Sequence, residues 1–268
     1  MIDGRDRPRR DPLHDLRAVM ARLRAPEGGC PWDRAQDFAS IAPYTLEEAY
    51  EVVDCIERRA WPELKAELGD LLFQVVYHAR MAEEAGLFDF DDVARGVADK
   101  MVRRHPHVFA DATIANAEAQ SAAWEAIKAA ERAAKEGAEG ALDGVPRALP
   151  ALVRAQKIQA RAAQLGFDWP EVAPVLAKVE EELAELCAAQ EAGDEAGLRE
   201  EMGDLLFACV NLARHLECDA EAALRQATAK FQRRFARVEE MARNDGQKLE
   251  EMSLEMLEVL WQNAKNGL

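Results

Sequence analysis

Apolar residues recur along this chain at the three- to four-residue spacing of amphipathic helices, and sustained alternation with a period of two is almost absent. Alanine, glutamate, leucine and arginine dominate the periodic segments, and these residues favour the helix. The pattern therefore predicts an all-α fold.

An acidic pattern occurs twice within these helical segments, with an offset of 134 residues. Its most similar parts are Glu-Leu-Gly-Asp-Leu-Leu-Phe at 67–73 and Glu-Met-Gly-Asp-Leu-Leu-Phe at 201–207. The first acid set is Glu48, Glu51, Glu67 and Asp70, and the second is Glu182, Glu185, Glu201 and Asp204. A gapless match of this kind indicates duplication, so we predict a tandem repeat of two helical-bundle modules.

Glycine and proline residues interrupt the helical pattern between Ala133 and Pro150. This interruption predicts a first module at 11–132, a linker at 133–147 and a second module at 148–268.

Within each acid set the residues pair at a spacing of three, which puts them about 60° apart around a helix axis. Each half therefore supplies two acidic stripes. Turn signals at 58–62 and 192–194 lie between the stripes and predict antiparallel helices. We expect the two stripes of each half to face each other.

The acids of the second half run directly into an apolar segment at 205–210, so we expect their helix to be largely buried. Gathered carboxylates repel one another and need cations, and oxygen ligands suit Mg²⁺, with Mn²⁺ possible. Solvated helix faces remain the alternative. A di-iron bundle would use Glu-x-x-His, and no histidine of this chain follows a glutamate by three.

The net charge of -16 and the pI near 4.9 oppose binding to a nucleic-acid polymer or to an anionic membrane. No run of 18 apolar residues occurs, and the first ten residues are basic and polar. The five cysteines form no Cys-x-x-Cys pair, which argues against a disulfide framework or a zinc site. These features predict a cytoplasmic protein.

A basic helix follows each acid set, and its cations recur at i, i+3 and i+4. They are Lys100, Arg103 and Arg104 in the first half, and Lys230, Arg233 and Arg234 in the second. Such a stripe can bind phosphate oxygens, which suggests a polyphosphate substrate, although a solvated or salt-bridged face stays open.

A Trp-x-x-x-Lys motif also recurs, as Trp124 with Lys128 and as Trp261 with Lys265. Each tryptophan could stack on a nucleobase or pack in a core.

These features resemble the MazG nucleoside triphosphate pyrophosphohydrolases of the all-α NTP pyrophosphatase superfamily. The resemblance covers nearly the whole chain and is carried by Gly29-Cys30-Pro31-Trp32-Asp33, Thr45-Leu46-Glu47-Glu48, Arg104-His105-Pro106-His107-Val108-Phe109, Pro150 to Lys157 and both Glu-x-Gly-Asp segments. It implies a homodimer that hydrolyses nucleoside triphosphates to monophosphate and diphosphate, with Mg²⁺ and with broad base specificity.

The resemblance also implies roles for individual residues. The catalytic metal ligands would be Glu182, Glu185, Glu201 and Asp204, and the substrate contacts would be Lys178, Glu181, Lys230, Arg233, Arg234, Trp261 and Lys265. A possible second site would lie in the first half. It would combine the four acids of that half with Lys100, Arg103, Arg104, Trp124 and Lys128. Which acid accepts a proton from the attacking water, Glu182 or Glu185 among them, stays open.

Two departures from the family pattern bear on activity. Tyr44 stands at the repeat offset of Lys178, so the first half lacks that cation. In family members with two modules it is the C-terminal module that resembles the catalytic one, and we expect the same here. The second half departs too, because Gly197 replaces a lysine expected before its Glu-x-Gly-Asp segment, with Arg199 nearby.

Two other functions fit the same residues. One is a sensing or interaction protein that binds Mg-nucleotide without turnover. The other is a narrow house-cleaning enzyme for one deoxy- or noncanonical nucleotide, such as dUTP.

Overall fold

The computed structural model describes residues 11–110, 115–133 and 140–266, and in these residues it contains α-helices and one short 3₁₀-helix, with no β-strand. The all-α prediction is confirmed. The helices are α1 Pro12–Leu23, α2 Pro31–Ala35, α3 Phe38–Arg58, α4 Trp61–Glu84, α5 Phe90–Arg104, α6 Pro106–Phe109, α7 Ala117–Ala133, α8 Ala151–Gln164, α9 Val172–Ala192, α10 Glu195–His215, α11 Ala220–Asn244 and α12 Leu254–Asn266, with the 3₁₀-helix at Leu249–Glu251.

The chain divides into two compact units, Met1–Ala130 and Glu131–Leu268, in agreement with the predicted tandem repeat. The detailed module bounds of 11–132 and 148–268, with a linker at 133–147, stay a prediction. Part of that linker, and the basic first ten residues, lie outside the described residues.

A helical hairpin forms the centre of each unit, and its turn coincides with a predicted turn. In the first unit α3 and α4 pack together, and Arg59 at φ 57° ends α3. In the second unit α9 and α10 pack together, and Gly193 at φ 67° ends α9. The left-handed backbone at both positions reverses the chain within two residues of the next helix.

The core of the first unit is built by α1, α3 and α4. Its buried members are Met20, Ile41, Val76, Tyr77 and Met81. The Tyr77 hydroxyl donates a hydrogen bond of 2.8 Å to the Asp33 carbonyl, so the one polar atom of this large buried side chain is satisfied.

The second unit has its main apolar cluster between α11 and α12, where Val238, Ala242, Leu260 and Ala264 are buried. The hairpin of α9 and α10 is more exposed to solvent than this cluster. Leu206 and Phe207 are 51% and 45% exposed. The expectation that the helix after Asp204 is largely buried is therefore wrong for the single chain, because the helices packed on α10 cover only part of its circumference.

None of the helices in the described ranges combines the length and the hydropathy that a membrane-spanning segment needs.

The segment that follows α8 is fastened to the end of α10 through Asp168. Arg214 donates a hydrogen bond of 2.5 Å to Asp168 Oδ1, and the His215 Nε2 atom lies 2.9 Å from the same oxygen. The hydrogen bond from Arg214, helped by His215, lowers the pKa of the Asp168 carboxyl to about 2. Asp168 thus acts as a charged clamp between two segments that are 46 residues apart.

We predict that Asp168→Asn lowers the free energy of unfolding by about 1 kcal/mol at pH 7, since it removes the charge that holds Arg214. The folded-state pKa is depressed, so this contribution is present above the unfolded pKa near 3.8 and is lost as the pH falls toward 2. Urea unfolding at several pH values measures it. The exposed Asp245, changed to asparagine, is the control; an equal effect of both substitutions would contradict the clamp.

Candidate functional site

The hairpins bring the predicted acids together, because residues from the middle of one helix oppose those near the start of the next. In the first unit, carboxylate oxygens of Glu48, Glu67 and Asp70 lie within 4.8 Å of one another. In the second unit, the same is true of Glu182, Glu201 and Asp204. Each hairpin therefore presents three oxygen ligands to one point in space.

The fourth acid of each set, Glu51 or Glu185, lies close enough to raise the pKa of a neighbouring carboxyl group. Burial raises the pKa of Glu67, and a hydrogen bond and repulsion from Glu51 raise it further. Burial also raises the pKa of Glu201, and the charge of Glu185 is the largest of several carboxylate contributions after that. Both clusters thus carry unfavourable negative charge.

A lysine partly neutralises the second cluster. The Lys178 ammonium lies 2.7 Å from Glu182 Oε1 and 2.9 Å from Glu181 Oε1, one turn away on α9. These hydrogen bonds, with Glu182 first, raise the pKa of Lys178. The Glu182 residue is only 5% exposed, so its charge is poorly solvated and needs this partner.

The first unit has no cation at the corresponding place. Tyr44 is 41% exposed, and its ring meets the edge of Trp32 at a centroid distance of 6.1 Å. It carries no charge that could balance Glu48. Burial, followed by the charges of Glu51 and Asp70, raises the pKa of the Glu48 carboxyl. The two clusters therefore share their acids but differ in their electrostatic surroundings.

The chemistry of the donor set fits a hard metal ion. All three converging ligands in each unit are carboxylate oxygens, with no sulfur or imidazole among them, and such sets favour Mg²⁺ or Mn²⁺ over softer metals. The clusters can therefore bind a metal ion.

A cavity of about 800 Å³ adjoins the second acid cluster. Lys178, Glu182 and Asp204 belong to its wall, together with residues of α8, of the segment after α8 and of the second half of α10. The lining residues that sequence reasoning missed include Gln159, Asp168, Trp169, Phe207, Asn211 and Arg214. The volume lies in the range of small-molecule sites.

One sequence signal could have revealed this cavity. Asn211 stands at the repeat offset of Tyr77, so a small amide in the second unit replaces a large aromatic ring in the first. Tyr77 is 1% exposed and fills the interior of its own unit. A position-by-position comparison of the two halves therefore marks where the second unit has more internal space.

The basic stripe of the second unit does not contribute to this cavity, whose described lining contains neither Lys230, Arg233 nor Arg234. Lys230 and Arg233 are exposed on α11, and Arg234 is half-buried.

Each recurring tryptophan is held by an aromatic or cationic neighbour. The Trp261 ring packs against Phe231 at 5.1 Å, and the Lys265 ammonium lies 5.9 Å from its centre. In the first unit the Arg104 guanidinium lies 5.0 Å from the centre of the Trp124 ring. The proposed substrate contacts of Lys100, Arg103, Lys128 and these neighbours stay predictions.

Gly197 has a structural reason for departing from the family pattern. Asp194 caps α10 by accepting hydrogen bonds of 3.1 Å from the backbone N–H groups of Ala196 and Gly197. A Cβ atom at Gly197 would lie 2.7 Å from Asp194 Oδ2, so any side chain there would require the Asp194 carboxylate to shift. Arg199 is exposed two residues further along α10.

The chain matches the family described as the MazG nucleotide pyrophosphohydrolase domain twice, over residues 36–109 and 171–239. It is 55% identical over 252 residues to the nucleoside triphosphate pyrophosphohydrolase of Escherichia coli strain K12, with 93% of this chain and 95% of that protein covered. It is 45% identical to the nucleoside triphosphate pyrophosphohydrolase/pyrophosphatase MazG of Thermotoga maritima, with 95% and 96% covered. Each matched segment contains one complete acid set.

Proposed function

This chain belongs to the MazG nucleotide pyrophosphohydrolase domain family, and on that premise we propose that it hydrolyses nucleoside triphosphates to the monophosphate and diphosphate. The two relatives that match nearly the whole chain are named pyrophosphohydrolases, so this chain is a hydrolase. The observation that best supports this reaction is the convergence of Glu182, Glu201 and Asp204 beside a cavity of nucleotide size.

We propose Mg²⁺ as the ion that the acids hold, with Mn²⁺ as a substitute. When bound, the ion would polarise the phosphate oxygens and offset charge that builds up as the anhydride bond breaks. The carboxylates of Glu182, Glu185, Glu201 and Asp204 would keep it at the phosphates. One of these acids would also accept the proton of the attacking water.

The remaining site residues would bind the substrate. Lys178 would exchange Glu181 and Glu182 for a phosphate oxygen. The basic stripe on α11, with Lys230 and Arg233 exposed and Arg234 half-buried, would hold the rest of the triphosphate chain. Trp261 and Lys265 would add nucleotide contacts from α12. A largely apolar pocket wall favours broad base specificity over a narrow one.

We further propose that the protein is a homodimer. Apolar residues remain exposed at equivalent places on the two hairpins, Leu68 and Leu72 on α4, and Met202 and Leu206 on α10. Their exposed fractions lie between 40% and 51%, and repeated apolar side chains on one helix face are typical of an interface. Cytoplasmic location and the lack of nucleic-acid or membrane partners stay predictions.

Incubation with ATP and Mg²⁺ should yield AMP and diphosphate, and excess chelator should abolish turnover, because metal-free carboxylates repel the triphosphate. Ion-exchange chromatography of the reaction mixture identifies the products and measures the rate with and without chelator. Formation of ADP and phosphate, or an undiminished rate in chelator, would contradict the proposal. Saturable binding without diphosphate would favour the sensor, and activity confined to one nucleotide such as dUTP would favour the narrow enzyme.

The second unit should carry most of the activity, because Lys178 and the cavity adjoin its acids. Glu201→Gln and Glu67→Gln are a matched pair, since both residues are half-buried members of their clusters. We predict that Glu201→Gln lowers kcat/KM at least about tenfold, the effect of about 1.4 kcal/mol, and that Glu67→Gln leaves most of the rate. Circular dichroism checks folding. The reverse order would refute the assignment, and equal partial losses would indicate two working sites.

Leu206→Glu should weaken the dimer, since it places a charge in the proposed apolar contact. Light scattering coupled to gel filtration should show the mass falling from two chains toward one at micromolar concentration. Leu254→Glu is the control, because Leu254 is 81% exposed at the start of α12, outside the hairpin. A monomeric wild-type protein, or equal masses for both variants, would count against this interface.

A further inference from the structure

Three arginines of the first unit line a small pocket that lies apart from the acid cluster of that unit. The pocket has a volume of about 260 Å³, and its wall consists of Arg24, Pro26, Arg34, Arg80 and Glu84. Arg80 follows Asp70 by ten residues on α4, which is about 15 Å along the helix axis. The pocket is therefore separate from the carboxylates that could hold a metal ion.

Glu84 neutralises part of the positive charge and fixes two of the arginines. Its Oε2 atom accepts hydrogen bonds of 3.0 and 2.8 Å from Nε and Nη2 of Arg24, and its Oε1 atom accepts one of 2.8 Å from Nε of Arg80. The Nη1 group of Arg24 donates to the carbonyl oxygens of Asp33 and Gln36. Arg24 is thus held by the protein itself, and three guanidinium groups with one carboxylate give the wall a formal charge of +2.

The other two arginines keep donor groups that the protein does not use. Arg80 donates through Nε to Glu84 and through Nη1 to Glu83, and its Nη2 group makes no hydrogen bond to a described residue. Arg34 is exposed on α2, and its side chain pairs with no acidic residue in the described ranges. A whole guanidinium fork and one further N–H group therefore line a positive pocket, in a chain whose net charge is -16.

The second unit shows how the same place is neutralised from within. Asp168 and Arg214 follow Arg34 and Arg80 by 134 residues, which is the offset of the acid repeat. The Asp168 carboxylate accepts a hydrogen bond from Arg214. In the first unit an arginine stands at the place of that carboxylate, so two like charges line one small pocket. An anion between them would relieve their repulsion.

The size and charge of the pocket suit a phosphoryl group. Its volume lies below the usual range for drug-sized ligands, so a small group fits best. A guanidinium fork binds two phosphate oxygens through parallel N–H groups, and a phosphoryl group has a further oxygen for a second arginine. A phosphate monoester carries a charge of about -1.5 to -2 at pH 7, which matches the formal +2 of the wall.

We propose that Arg34 and Arg80 form an anion site in the first unit that takes a phosphoryl group, either as inorganic phosphate or as the phosphate of a larger molecule. The fork of Arg34 binds two oxygens, and Nη2 of Arg80 donates to another. Arg24 balances Glu84 and keeps this carboxylate away from the anion. The first unit then has a ligand site that does not use its acid cluster and does not depend on the proposed hydrolysis.

Calorimetric titration of the full chain with inorganic phosphate, in buffer freed of divalent metals, should show saturable binding. Arg34→Gln should raise the dissociation constant at least about tenfold, because it removes charge-assisted hydrogen bonds. Arg59→Gln is the matched control, since Arg59 is an exposed arginine of the same unit outside the pocket, and it should leave the constant unchanged. Methyl phosphate serves as the second probe, and comparable binding would show that the site also takes a phosphate carried by a larger molecule.

Arg34→Asp separates loss of the site from loss of the fold, because it introduces the carboxylate that the second unit has at this place. This variant should not bind phosphate, yet its midpoint of thermal unfolding in phosphate-free buffer should exceed that of the wild type. Unchanged phosphate binding in both Arg34 variants would overturn the site. Binding that is lost in Arg233→Gln instead would place the anion on α11, and a wild-type protein that binds no phosphate would also refute the proposal.

Discussion

Repulsion between gathered carboxylates is the constraint on which both units depend. Two like charges about 4 Å apart repel by roughly 4 kcal/mol at an effective dielectric of 20, and each hairpin holds three acids at close to this separation. A fold can keep such a cluster only where a cation balances it or where water screens it. In the second unit Glu182 is buried, so water cannot screen its negative charge and a cation is needed. The ammonium group of Lys178 supplies part of the positive charge.

The acid clusters could be predicted from the sequence because the rules that place them are local. A spacing of three fixes the face of a helix, and a short turn fixes the antiparallel partner, so Glu182, Glu201 and Asp204 had to meet once α9 and α10 formed a hairpin. The turn at Gly193 is equally local, because a left-handed residue favours glycine. The reaction was inferred from the family resemblance, because residue spacing alone does not identify a substrate or its products.

Burial and internal space could not be predicted in the same way, because they depend on which helices pack together. The apolar run after Asp204 suggested an enclosed helix, yet Leu206 and Phe207 remain about half exposed because the helices packed on α10 cover only part of its circumference. The cavity likewise arises from the placement of α8 beside α10, two helices whose contact has no sequence signature. Only the exchange of Tyr77 for Asn211 between the repeats hinted at it.

The ion pair of Lys178 has a consequence for how the site receives a metal ion. The ammonium already holds the Glu182 carboxylate in place, so the ligand is preorganised and need not be recruited from disordered solvent-facing rotamers. An arriving divalent ion would replace the single positive charge of Lys178 beside Glu182 with a double one. Metal binding at this place would then be an exchange of one cation for another, and the displaced lysine would be available to pair with an anionic substrate.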